Sequence, residues 1–491
     1  MDAGTFQRQL RRIRRPAAVT QIRAEPGQPD PWPGPWVTRV RRATRTTNIW
    51  CMTDQILQER VVATLVSNGI PVTANSPRLG RQAGFWVVAA STAVMTALST
   101  APSALYGIYA RQEQLSSITI TLVYSVYAAG ILASLLLVGH VSDWYGRRTV
   151  LLPALLTALL ASVVLSSSSS LPALFLGRVL SGVALGAAVA AAAAYLTDLD
   201  SGPGGAPTRR SQIGATVANV GGLAVGPLLA GFLTEYVVAD PRMTFGVFAA
   251  LLTFALVGTA LTTEVRPLPE PRPHYRPQQL ALPAHARVQF SAALIGAFLV
   301  FTVFGVFAGL SSAFLTGTLH RSSPVLAGLA VFVSFGIGAL TQVTTMTWPL
   351  RRLLSLGIPV LVAGLSVFVC AAWVQPPSLW LFFIGAALVG VGSGAIYRST
   401  LAVVLTTAPP AERAGALTLF FVVGYVGLSL PVVGAGIALL YMSFKVILLA
   451  FAVAVATGIL LAAPLLLRLS TGDESPGPEP SVPGKPMGVL R

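Results

Sequence analysis

Between Leu353 and Tyr397 the chain runs for 45 residues without a charged side chain. Every residue of that stretch still carries a backbone donor and acceptor. In an apolar surrounding only helices or closed barrels satisfy them all. A helix needs roughly 20 apolar residues to cross a bilayer, so 45 residues are two helices, and Gln375-Pro376-Pro377-Ser378 supplies the break. The same logic divides the rest. Ala83–Ala110 and Leu115–Ser142 are uncharged, and between Arg148 and Asp198 the only charge is Arg178. The first four spans fit about 84–106, 117–139, 149–168 and 172–195, with a break at Ser166–Ser170 and Pro172. Ser211–Thr234, Met243–Thr263, Val288–Leu319, Ser322–Leu350, Ala414–Phe444 and Val446–Leu467 complete a set of twelve. The fold expected is an all-α membrane protein of twelve transmembrane helices.

Composition agrees. Of 491 residues 54% are hydrophobic and 10% charged, against about 25% charged in a soluble domain. The net charge of +16 comes almost wholly from arginine; Lys445 and Lys485 are the lysines. With so much Ala, Gly, Leu and Pro, this composition suits a high-GC bacterium, and so a bacterial inner membrane. Before residue 83 there are 13 Arg against 5 acids. That segment could lie on anionic lipid or nucleic acid. A cytoplasmic tail obeying the positive-inside rule accounts for it more simply, so no nucleic-acid partner is expected. Its arginines are not followed by the apolar stretch of a signal peptide. Met52 offers a second start, which leaves open whether residues 1–51 belong to the mature chain. Two cysteines, Cys51 and Cys370, and four scattered histidines give no disulfide framework or metal-ligand spacing; Cys370 reads as a packing residue. No nucleophile–base spacing or phosphate loop is visible. Neither an enzyme nor a metal or other cofactor is expected.

With the N-terminus inside, the inner loops hold eleven arginines, among them Arg147, Arg209, Arg351 and Arg413, while the outer loops hold Arg111, Arg242, Arg321 and Lys445. That asymmetry places both termini in the cytoplasm. The chain also looks doubled. A shift of 204 residues carries Arg147-Arg148 onto Arg351-Arg352, Gly186 onto Gly390, Arg209 onto Arg413 and Pro227 onto Pro431. Two related six-helix bundles are the plan of a rocking transporter. The domains expected are a basic, disordered cytoplasmic segment over 1–83, one bundle over 84–263, a cytoplasmic linker over 264–287, a second bundle over 288–467 and a disordered tail over 468–491.

Three motifs bear on mechanism. The loop after the second span reads Gly139-His140-Val141-Ser142-Asp143-Trp144-Tyr145-Gly146-Arg147-Arg148. It resembles the G-x-x-x-D-x-x-G-R-[RK] signature of the major facilitator superfamily. Gly146 suits a tight turn, and Gly139 leaves room for another helix. Asp143 and Arg147 are able to pair across the seam between the halves as a conformational latch; the bland alternative is a hairpin with positive-inside arginines. The resemblance implies reinforcement by an acid at the inner end of the fourth span, where Asp198 stands, or a mere helix-end acid in solvent. The equivalent loop of the second half keeps only its two arginines. In the fourth span Arg178, Gly182 and Gly186 resemble the family's R-x-x-x-G-x-x-x-G pattern, in which the arginine serves proton coupling or substrate charge. An intramembrane arginine costs at least about 2.5 kcal/mol on insertion scales; the alternative is snorkelling to the outer surface. In the fifth span Gly222, Gly226, Pro227 and Gly231 resemble the pattern G-x-x-x-G-P-x-x-G-G of proton-exchanging exporters, with Ala230 for the first of the final pair. Generic helix packing would use the same residues.

None of the seventeen acids falls at mid-membrane depth. Glu113, Glu235 and Asp240 lie near one face and Asp143, Asp198, Glu264 and Glu412 near the other. The function expected is alternating-access export of a small apolar or anionic compound by proton exchange, by a monomer. A sensor or scaffold on the same fold, or a uniporter without proton coupling, are the alternatives. No motif names the substrate.

Overall fold

The computed structural model describes residues 79–468, apart from His140, Ala239, 266–277, Gln279, 283–285, Pro410 and Ala411; the side chains of Asp143 and Arg468 are also outside the description. The expectations for residues 1–78, for most of the linker and for the tail beyond Arg468 lie outside the described residues. Those described have no strand and contain twelve helices long and apolar enough to cross a membrane. They are α1 Arg81–Ala104, α2 Ser117–Val138, α3 Arg147–Ser167, α4 Leu171–Ser201, α5 Arg209–Val237, α6 Pro241–Ala260, α7 Arg287–Gly317, α8 Pro324–Thr344, α9 Leu350–Trp373, α10 Leu379–Thr407, α11 Arg413–Ala438 and α12 Phe444–Leu467.

Three boundaries move from their sequence-based positions, because a charge does not by itself end a helix; one is the end of α10, expected at Arg398, which runs on to Thr407. α1 begins at Arg81 rather than near 84, because the Arg81 guanidinium bonds the last carbonyls of α4, Nε to Leu199 at 3.1 Å and Nη2 to Asp198 at 3.2 Å. α4 runs past 195 to Ser201, because Asp198 is buried against Arg147 rather than hydrated. Gly202, at φ +93°, then ends the helix in a conformation that favours glycine. Cys370 also departs from expectation: it lies on the exposed face of α9 instead of packing inside.

The helices pack as two copies of one arrangement. α1 touches α4, α5 and α6; α4 touches α2 and α3; and α3 touches α6. Adding six to each number gives the pairs of the second half: α7 with α10, α11 and α12, α10 with α8 and α9, and α9 with α12. The halves meet along α5/α8 and α2/α11, a pair of seams related by the same rule. Large apolar side chains such as Phe254, Trp380 and Leu461 are exposed on the outside of the bundle, where lipid is the solvent.

Proline is accommodated identically in both halves. Pro227 in α5 cannot donate to the carbonyl four residues before it, Leu223; the Thr100 hydroxyl from α1 does so at 2.8 Å. Pro431 in α11 leaves Gly427 free, and the Thr302 hydroxyl from α7 fills it at 2.9 Å.

Candidate functional site: a two-chambered cavity between the halves

At the end of the molecule carrying the Gly139–Arg148 loop, a cavity of about 640 Å3 opens between the halves, with walls from α2, α4, α5, α8, α10 and α11. Deeper lies a chamber of about 60 Å3, which shares Gln342 and Phe421 with the outer cavity. The opposite end is closed. There the α5/α8 seam brings Gly231 against the Pro324 backbone, and the Pro227 backbone against Gly328, so tightly that a Cβ on either glycine would overlap a carbonyl. On the α2/α11 seam Gly436 lies against the Thr121 side chain rather than against backbone. Glu235 bridges this closed end: its carboxylate accepts from the Ser323 hydroxyl at 2.5 Å and the Val325 N–H at 3.0 Å. A carboxylate of the first half thus sits at the start of α8 in the second.

The signature loop lies at the open mouth. Gly146 has φ +97°, and a Cβ there would also meet Glu264 Oε2 at 2.6 Å. That carboxylate accepts the Arg148 N–H at 2.9 Å, and the Arg148 guanidinium donates to the Ala260 carbonyl. Arg147 is buried; its Nε pairs with Asp198 at 3.4 Å and its Nη1 donates to Ser142 at 2.8 Å. Asp198 is therefore a buried partner of Arg147, 5% exposed, rather than an acid in solvent. These contacts tie α3, α4 and α6 of one half together; the side chain of Asp143 lies outside the described residues. Gly139 corrects an expectation. The atom that its Cβ would crowd is the Leu135 carbonyl of its own helix, at 2.7 Å, not a neighbouring helix, and it lines the open cavity. At the far face Asp240 caps α6, and hydrogen bonds from Arg242 hold its carboxyl below the usual carboxylate range.

Arg178 is 2% exposed and lines the deep chamber instead of reaching the surface. Its Nη1 donates to the Ser99 carbonyl, beside the end of the α-helical part of α1. The guanidinium lies 4.2 Å from the Tyr127 ring centroid and 5.9 Å from that of Tyr124. A desolvated cation over an aromatic face gains about 2 kcal/mol, which with the carbonyl offsets the burial. The glycines explain how the tyrosines arrive. Gly182 and Gly186 follow Arg178 at one-turn intervals, and a Cβ on either would collide with a carbonyl of α2, Tyr127 or Ile131. The motif is a seat for α2 that brings its aromatic face against the arginine. In α5, Gly222 and Gly226 press on the Ala93 and Ala97 carbonyls of α1, while Pro227 and Gly231 face α8. One helix thus bonds its own half on one side and its counterpart on the other.

The latch residues and Arg178 do not form one site: the former ring the mouth, the latter lies in the deep chamber. Sequence reasoning missed most of that chamber. Its wall is aromatic, with Phe301 ring-to-ring with Tyr397 at 5.9 Å and with Tyr425 at 5.4 Å. The pairs Tyr124/Tyr127 and Phe421/Tyr425 do fall at helical spacing, but such pairs in a span usually mark ordinary packing. Arg398, which follows the uncharged stretch Leu353–Tyr397 in the sequence, lies within α10 and lines the outer cavity. It donates from Nη1 to the Gln342 carbonyl at 3.1 Å and from Nη2 to Met346. Among the described residues no group of His, Cys, Asp and Glu is placed to hold a metal ion.

Over residues 85–364, more than half the chain, the sequence matches the family described as Major Facilitator Superfamily. It is 40% identical over 122 residues to the tetracycline resistance protein, class B, of Escherichia coli, covering 24% of this chain and 28% of that protein. It is 35% identical over 161 residues to the puromycin resistance protein pur8 of Streptomyces alboniger, covering 33% and 30%. To the class C tetracycline resistance protein of Escherichia coli it is 29% identical over 269 residues, covering 46% and 66%. The chain thus spans less than two thirds of each of these relatives. Among solved structures it resembles the nucleoside transporter NupG, with a TM-score of 0.59 at 14% identity over 79% of this chain and 99% of that one. A peptide transporter, POT, in complex with alafosfalin gives 0.62 at 13% identity over 79% and 95%. At that identity the likeness shows the fold alone, which the twelve paired helices share. Fold, signature loop and family match together place this multi-pass membrane protein in the major facilitator superfamily.

Proposed function

We propose that the protein is a secondary transporter working by alternating access, exporting a small apolar or anionic compound in exchange for protons. The observation that carries this reading is the seam between the halves: closed at one end by close glycine contacts on two pseudo-equivalent helix pairs, to backbone on α5/α8 and to the Thr121 side chain on α2/α11, and open at the other around a 640 Å3 cavity. A rocking of one half on the other would exchange the two ends. The resistance proteins it resembles support export, as does the α5 pattern.

The reading includes a bacterial inner membrane, both termini and the linker in the cytoplasm, a monomer, and the domain division at 84–263, 264–287 and 288–467. On this orientation the structure is inward-open. Among the described residues no carboxylate lines either chamber, so on this reading a coupling proton would be carried nearer a membrane face. Asp143, Asp198 and Glu235 are the candidates, and Glu235 has the most direct means, since its protonation would weaken a bridge between the halves.

The test is substrate flux in proteoliposomes under an imposed pH gradient, with a panel of growth-inhibitory compounds to find the substrate. Flux that ignores the gradient removes proton exchange and leaves a uniporter. No flux for any compound that binds would favour a sensor. Orientation is checked by single cysteines at Ser168 and Pro271: an impermeant thiol reagent should label only the first in intact cells.

A further inference from the structure

The two chambers share an electrostatic property beyond the reading above. Each holds an arginine whose described partners are backbone carbonyls: Arg178 on Ser99, Arg398 on Gln342 and Met346. In each, Nε has no hydrogen-bond partner. Arg147, the other arginine of the lining, is already neutralised by Asp198. Among the described residues no aspartate or glutamate lines either chamber. A route walled by low-dielectric protein and carrying two unneutralised positive charges concentrates anions and repels cations.

The rings around the deep chamber permit two opposite readings. Aromatic faces attract organic cations, as well as stacking on flat ligands. Arg178 decides between them, because the cation over Tyr127 is already supplied by the protein. A second cation would meet it at close range, whereas an anion would supply its missing counter-charge. The faces of Phe301, Tyr397 and Tyr425, packed against one another, remain as a surface on which a planar group can stack. The chamber, at about 60 Å3, has several times the space one water needs, and it shares walls with the wider cavity. It therefore suits one ring system with its charged end toward an arginine.

We infer that the substrate class is the planar aromatic anion, met first by Arg398 at the mouth and then held by Arg178 against the aromatic wall of the deep chamber. This inference rests on the transport reading for the word substrate; the binding site it describes does not. α4 and α10 are counterparts in the two halves, and each contributes one arginine, Arg178 to the deep chamber and Arg398 to the outer one. Two stations at different depths let an anion be handed on without crossing a region devoid of positive charge.

The test uses the full chain in lipid nanodiscs and calorimetric titration with four probes of similar size: 2-naphthoate, 2-naphthylmethanol, 2-naphthylmethylammonium and decalin-2-carboxylate. Naphthoate should bind at least about tenfold more tightly than each of the others. Arg178→Gln should weaken naphthoate about ten- to a hundredfold, the range for losing hydrogen bonds to a charged group, while naphthylmethanol changes little. Arg398→Gln, in the wider outer cavity, should weaken naphthoate less and slow its association. Should Arg178→Gln fail to fold, Arg178→Lys and Arg398→Gln carry the same comparison. Binding of the ammonium as tight as that of naphthoate overturns the inference, and so does a preference unchanged in both glutamine variants. Equal binding of decalin-2-carboxylate removes the aromatic part. Flux of the same probes separates the two ideas. Selective naphthoate binding without flux of any probe sinks transport and leaves the site; flux of the ammonium without naphthoate preference sinks the site and leaves transport.

Discussion

The two halves keep the same packing but not the same charges. In the first, Gly186 admits the Ile131 backbone of α2; in the second, its counterpart Gly390 admits the Ser334 backbone of α8. Each half has a proline whose orphaned carbonyl is filled by a threonine from the helix four places earlier, Thr100 of α1 for Pro227 of α5 and Thr302 of α7 for Pro431 of α11. Around the signature loop, however, the first half has Arg147 buried on Asp198, Arg148 on Glu264 and Ala260, and Arg81 on the end of α4. At the same place in the second half, Arg351 and Arg352 are exposed, and Arg352 rests 4.2 Å from the Trp348 ring centroid. The difference separates packing from charge. Helix packing has to be built in each half, since each must hold six helices together. The ionic contacts around the signature loop lie within the first half and have no counterpart among the described contacts of the second.

The strongest way to break the packing side of this comparison is Gly186→Leu, with Gly390→Leu as its counterpart on the α8/α10 contact. Each drives a side chain into a carbonyl of the facing helix. Each should cost about 3 kcal/mol or more, the upper range for overpacking, and the yield of monodisperse protein should drop alike for both. If only one drops, the halves are not mechanically equivalent.

Next comes Arg178→Ala. It removes the chamber's guanidinium, which stays charged at any physiological pH, and should lower substrate flux by about thirtyfold or more, since losing a desolvated charge contact costs about 2–5 kcal/mol. Arg178→Lys should rescue only in part, because it keeps the charge but not the planar fork over Tyr127. Undiminished flux in the alanine variant would take Arg178 out of the mechanism.

A smaller effect should follow from loosening the latch. Asp198→Asn removes the carboxylate charge that faces Arg147 Nε and should cut flux about tenfold, about 1.4 kcal/mol, with membrane insertion intact; Asp143→Asn should also reduce it. The control is Arg352→Gln at the latch-free loop of the second half, which should stay within about twofold, as exposed charges contribute little. Equal losses at both loops would show that the latch is not confined to one half.

The smallest effect tests the duplicated threonines. Thr100→Val and Thr302→Val each remove one hydroxyl donor to a proline-freed carbonyl and should lower stability by about 1 kcal/mol each, read as matched falls in thermal melting of the detergent-solubilised protein.

The span count was legible because the constraint is local. Lipid demands about 20 uncharged residues at a time, and that demand is written into each segment without reference to any other. The turn at Gly146 and the small-residue faces of α4 and α5 were legible for a like reason: φ preference and one-turn spacing belong to a single helix. Spacing says which residues share a face but not what that face meets. Only the packed structure set Arg147 against Asp198, turned Gly139 toward its own helix and the cavity, and put Cys370 on the outside of α9. The aromatic chamber was the least legible part. Tyr127, Phe301, Tyr397 and Tyr425 come from four helices in both halves, and no short window of sequence contains two of them. Along any one span an aromatic residue facing lipid, core or cavity satisfies the same hydropathy. What distinguishes them is how the two six-helix halves dock, and that is decided by contacts between residues hundreds of positions apart.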